Sequence, residues 1–111
     1  MADTILREFF LGFVRIHILH HAAEEGVYGL GMIGELGRHG YSLSPGTIYP
    51  LLHSMEHAGY LTCEPRHVDG RPRKYYTITP RGREVLAEAQ QKIGELTGEV
   101  SPKPRRRKRA N

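Results

Sequence analysis

The sequence predicts a mostly α-helical chain with one small β-hairpin, an α+β arrangement. Three segments with apolar residues at helical spacing come first, then two short alternating runs around Asp69–Gly70, then a last helical segment. At 111 residues the chain is the size of one domain, and 39% hydrophobic residues suffice for one small core. Its positive charge collects on the hairpin and at the C-terminus while the body is acidic, which is how a surface for a polyanion is built.

The first helix is expected from Asp3 or Thr4, either of which can cap it, to about Ala23, with Gly26 as the stop. Ile5, Leu6, Phe9, Phe10, Leu11, Phe13, Val14, Ile16, Ile18 and Leu19 cover most of its circumference. A helix apolar nearly all round is buried on more than one side. In so small a chain the second side is expected to meet another copy. The next helix, Tyr28 to about Arg38, carries Leu30, Ile33 and Leu36 at helical spacing. It also holds Gly29, Gly31, Gly34 and Gly37, each costing about 1 kcal/mol relative to alanine in a helix interior. Tertiary packing must hold it.

Ser44-Pro-Gly-Thr47 opens the third helix, a serine N-cap followed by proline at the first helical position. Ile48, Leu51, Leu52 and Met55 form its apolar stripe, and Gly59 sits where a left-handed C-terminal residue belongs. Pro50 deletes the bond to the Gly46 carbonyl, so a kink is expected there. Leu61–Val68 and Lys74–Ile78 alternate as strands, with Pro65 at an edge position and Asp69–Gly70 as the turn, extended by Arg71-Pro-Arg73. Thr79–Pro80 then starts a last helix to about Thr97, with a narrow stripe of Val85, Leu86, Ala89, Ile93 and Leu96. Two helices joined by a tight glycine turn, followed by a two-stranded wing, make a winged helix-turn-helix. The expected organisation is a DNA-binding unit over 1–79, a C-terminal dimerisation helix over 80–98, and a disordered basic tail over 99–111.

Residues 66–83 hold six basic side chains against one acidic, and residues 101–111 hold six and none. Residues 1–65 hold three basic and seven acidic. Cys63 alone excludes an internal disulfide framework and fits a reducing compartment. Charges and histidines interrupt the greasiest segment, and Asp3, Arg7 and Glu8 stand where a secretory signal wants an apolar run. A soluble, cytoplasmic protein with no membrane partner is expected.

Four segments resemble the PadR family of bacterial transcriptional regulators: Tyr28–Gly29 with Ile33 and Glu35–Leu36; Leu43-Ser-Pro-Gly-Thr-Ile-Tyr-Pro-Leu-Leu52; Glu56 with Gly59–Leu61; and Arg73-Lys-Tyr-Tyr-Thr-Ile-Thr79. The resemblance covers roughly residues 6 to 90, and the second and fourth segments are the specific ones. It implies a dimeric winged helix on operator DNA, usually a repressor relieved by a small molecule. The single C-terminal helix resembles the shorter branch of the family. The absence of tryptophan leaves no effector site built on a stacked indole, and Gly31 and Gly34 stand where relatives often carry larger residues.

Ser44, Gly46 and Thr47 lie at a helix start, where free N–H groups favour a phosphate. Tyr49 and His53, one turn apart on the same face, can reach phosphate or base edges. Packing alone also accounts for Tyr49, and capping for Ser44. That helix has no Arg or Lys, so arginine–guanine pairing is not open to it. Arg71, Arg73 and Lys74 at the hairpin are expected to supply affinity, with Arg66 a weaker candidate. Arg105–Arg109 is either a solvated end or a second phosphate tracker. Phe9, Phe10, Phe13, Leu86 and Ile93 are candidates for a dimer seam or effector lining, though core packing also explains them.

Gly29-Leu-Gly-Met-Ile-Gly34 matches a dinucleotide-binding pattern, but no strand precedes it. His17, His20 and His21 share a helix, His53 and His57 another, and Cys63 lies four before His67; on separate elements and without finger spacing, they predict no metal site. No nucleophile–base pair, carboxylate pair or phosphate loop points to an enzyme, and no cofactor is expected. The sequence thus predicts a homodimeric repressor on double-stranded operator DNA, released by a small aromatic or apolar effector. The rivals are a winged-helix protein-interaction adaptor and a non-specific nucleic-acid binder driven by the tail.

Overall fold

The computed structural model describes residues 3–100, so the expectations about the tail at 101–111 lie outside the described residues. The order is α1 (Thr4–Glu24), α2 (Gly29–Arg38), α3 (Pro45–His57), β1 (Leu61–Val68), β2 (Arg71–Ile78) and α4 (Pro80–Val100). The Asp3 carboxylate caps α1 by accepting from the Ile5 N–H at 2.9 Å. Gly26, at φ +90°, ends it and has a second duty, because a Cβ there would press into the Tyr75 ring at 2.8 Å. The chain then runs extended for one residue. Val27 exchanges two backbone hydrogen bonds with Tyr76 of β2, at 2.8 and 2.7 Å.

One core holds the domain: Val14, Ile18 and Leu19 of α1, Met32 and Leu36 of α2, Ile48, Leu52 and Met55 of α3, Leu61 and Tyr76 of the hairpin, and Leu86 of α4. The Tyr76 phenol is buried with no hydrogen-bond partner among the described residues, and burial, with Cys63 beside it, pushes its pKa up to about 12. No described helix is long and apolar enough to cross a membrane.

Three expectations need correction. Ser44 occupies the N-cap position of α3, but only its carbonyl serves the helix, accepting from the Ile48 N–H at 3.0 Å; its hydroxyl makes no capping bond. Helix α3 runs on through Pro50 to His57. Strand β2 begins at Arg71 instead of Lys74, because Asp69 and Gly70, at φ 54° and 77°, close the turn by themselves and Val68 pairs with Arg71. Helix α4 continues past Gly98 to Val100.

The start of α4 is fastened by one side chain. The Thr79 hydroxyl donates to the Gly59 carbonyl at 2.7 Å and accepts from the Gly82 N–H at 3.0 Å, joining the end of α3 to the beginning of α4. Beyond Leu86 only Ala89 and Ile93 of α4 are even half-buried.

Candidate nucleic-acid interface

The start of α3 and the hairpin are the two elements the sequence singled out. In α3, Ser44, Gly46 and His53 are exposed and Thr47 is half-buried. Proline at the first position removes one orphan donor, and the Ser44 hydroxyl leaves the next one uncapped. An uncapped N–H at a helix N-terminus favours an anion. Tyr49 is half-buried for a specific reason: its ring lies on the backbone of Gly29, and a Cβ on Gly29 would collide with it. The α2 glycine that looked like part of a dinucleotide loop is thus a seat for an aromatic ring. Gly31 plays the same part for Tyr28, whose ring would lie 2.8 Å from an added Cβ.

The hairpin carries its cations in two ways. Side chains alternate across a strand, so Arg66, Arg71, Arg73 and Tyr75 share one face, and Lys74 and Tyr76 point to the other. On the first face the Arg73 guanidinium lies over the Tyr28 ring at 5.2 Å, Tyr28 stacks on Tyr75 at 5.8 Å, and Arg66 lies over Tyr75 at 4.5 Å. Arg66 also donates twice to the Glu64 carboxylate, at 3.0 and 2.8 Å. Arg73 is therefore half-buried, with its Nε making no hydrogen bond among the described residues, while Arg71 and Lys74 stay exposed. Arg81 and Arg83, counted in the same basic block of the sequence, belong to α4, where Arg81 lies over Tyr60 at 5.2 Å.

The five seam candidates are only partly brought together. Phe13, Leu86 and Ile93 line a groove of about 230 Å³ between α1 and α4, with Ile16, His17, His20 and Gln90. Phe9 stacks on Phe13 at 5.4 Å but is mostly exposed. Phe10 does not line the groove; it turns to the core side and meets the Tyr41 ring edge-on at 5.0 Å.

Sequence reasoning missed one cluster altogether. His17 and His21 of α1 meet His39, at the C-terminal cap of α2, with ligand-type nitrogens within 4.8 Å of one another. The α1 histidines are therefore not confined to their own element, as their spacing implied. Burial, then the neighbouring His39, His21 and His20, hold the His17 imidazole below its usual pKa. The signal available was the i, i+4 pair His17/His21; that His39 closes on it depends on the α2 turn, which no local pattern reveals.

A family described as "Transcriptional regulator PadR-like family" matches residues 18–88. The transcriptional regulator Rv3488 of Mycobacterium tuberculosis is 52% identical over 95 residues, which span 86% of this chain and 89% of that protein. Among solved structures, a PadR-like transcriptional regulator from Bacillus cereus is 34% identical with a TM-score of 0.77, covering 84% of this chain and 92% of its own. A PadR family regulator from Eggerthella lenta is 30% identical with a TM-score of 0.73, covering 87% and 86%. The matched span takes in the α2–α3 pair, the hairpin and the start of α4. By sequence and by fold, then, this chain belongs to the PadR-like family of transcriptional regulators, proteins that bind DNA and are not enzymes.

Proposed function

We propose that the chain is a homodimeric repressor that binds an inverted-repeat operator and is released by a small apolar or aromatic effector. The observation that carries the dimer is an uncovered apolar face. Ile5, Leu6, Phe9 and Phe13 of α1 are exposed, at 74%, 65%, 60% and 36%, and Leu96 and Val100 near the end of α4 are exposed too. That is too much large apolar surface on two helices for a small monomer to leave in water. A second copy covering it by two-fold symmetry presents two α3 helices, about 34 Å apart for successive major grooves. The groove lined by Phe13, Leu86 and Ile93 sits at this seam, where an effector would change that separation.

In this reading the α3 N-terminus with Ser44, Gly46 and Thr47 takes a phosphate, His53 and the edge of Tyr49 face the major groove, and the wing supplies affinity. Arg71 on one face of the hairpin and Lys74 on the other suit a wing lying between two phosphate rows. The test is a salt-dependent titration of the protein on its own upstream DNA and on a scrambled duplex, full-length and without residues 101–111. Preference for its own DNA that survives truncation supports the regulator. Failure to bind either duplex favours an adaptor, and equal binding abolished by truncation favours a general nucleic-acid binder.

A further inference from the structure

We propose that His17, His21, His39 and Glu35 form a binding site for a divalent transition metal of the zinc type. The three imidazoles come from two elements: His17 and His21 lie one turn apart on α1, and His39 caps the end of α2. Their candidate ligand atoms lie within 4.8 Å of one another. Glu35, one turn before His39, supplies a fourth donor. Its Oε2 lies 3.6 Å from the His21 Nε2 and 3.6 Å from the His39 Nε2. Ligands about 2.0–2.1 Å from a tetrahedral ion stand roughly 3.3–3.4 Å apart. Both separations are near that length, and Glu35, which stands outside the 4.8 Å trio, completes the shell by turning its carboxylate toward it.

The surroundings hold the donors in place. Arg38 pairs with the other carboxylate oxygen of Glu35, which leaves Oε2 to the imidazoles, and outer partners of this kind orient metal-binding carboxylates. The His17 ring is fixed edge-on between Phe13 and Tyr41, at 5.6 Å from each. His17, His21 and Glu35 are half-buried, and His39 is exposed and free to close the site. Three imidazoles and one carboxylate suit zinc, cobalt or nickel; they do not match the all-oxygen shells of calcium and magnesium or the sulfur ligands of copper(I).

The position gives the ion a structural consequence. It would tie α1, whose outer face is apolar and exposed, to the end of α2, from which the chain turns into α3. The site itself does not depend on the proposed dimer or its operator.

The experiment uses the full chain, freed of metal, titrated with Co²⁺ alone and then with Zn²⁺ as competitor. One equivalent of cobalt per chain, with the intense visible bands of a four-coordinate ion and displacement by zinc, is the expected result. His39→Ala and Glu35→Gln should each weaken zinc binding by about 100-fold or more, beyond the roughly 10–100-fold typical of losing an outer partner. His20→Ala should leave it unchanged. Circular dichroism checks that each variant is folded, and His39, exposed at a helix end, can be replaced without touching the core. Unchanged binding in folded His39→Ala would overturn the site, as would weak six-coordinate cobalt. Loss only in His20→Ala would also overturn it, assigning the ion to the exposed trio His20, His21 and Glu24 on α1.

Discussion

Helix α3 and the hairpin face the same proposed partner with opposite chemistry. Helix α3 has no lysine or arginine, and its exposed polar side chains are His53, Ser54, Glu56 and His57, with the Ser44 hydroxyl and a free backbone N–H at its start. The hairpin is rich in cations, of which Arg66 is tied to Glu64 and Arg73 rests on Tyr28, leaving Arg71 and Lys74 free in solvent. The difference implies a division of labour, in which the wing supplies salt-sensitive attraction and α3 supplies discrimination.

The comparison breaks most sharply at the wing. Changing Arg71 and Lys74 to Ala removes four charges from a dimer, which should cost on the order of 100-fold in affinity at moderate salt and make the log–log salt slope shallower by roughly 3–4. Its preference for one sequence over another should persist. A double variant that keeps its affinity but loses its preference would reverse the roles assigned to the two elements.

Next in size is the seat under Tyr49. Gly29→Val drives a side chain into the tyrosine ring and should destabilise the fold by about 1–3 kcal/mol, read from urea denaturation. If stability is unmoved, the ring is not held by that contact.

His53→Ala tests the other half of the division. It should lower the ratio of own-DNA to scrambled-DNA affinity by roughly five- to tenfold, the scale of one base contact, with the salt slope unchanged. A shallower slope with an unaltered ratio would make His53 a phosphate contact instead. Smallest of all, Tyr76→Phe removes a buried hydroxyl that has no partner among the described residues. Stability should stay level or rise by less than about 1 kcal/mol; a clear loss in the melting temperature would show that the hydroxyl is bonded in solution.

Much of this was legible in the sequence because the signals were local. The Asp3 cap, the Ser44–Pro45 start, Gly59 at φ +91° and the Asp69–Gly70 turn each follow from one or two residues. Three failures remain, two of them from non-local contacts. Arg71-Pro-Arg73 was read as loop because its pairing with Arg66, His67 and Val68 is set by the tight turn and not by its own alternation. The α2 glycines looked like a weakness until Tyr49 and Tyr28 were found lying on Gly29 and Gly31. The histidines looked like separate pairs until the α1–α2 packing brought His39 to His17 and His21. The proposed operator contacts were visible as charge, but which arginine is spent on an aromatic ring was not.

The two hydrogen bonds between Val27 and Tyr76 have a mechanical meaning. They clamp the root of the wing to the link between α1 and α2, and Thr79 clamps the next joint to the end of α3. The wing is thus a fixed prong on one chassis with α3. In the proposed dimer, the spacing between groove and wing contacts within a half-site would be a constant of the fold, leaving a regulatory signal only the distance between the two halves to adjust.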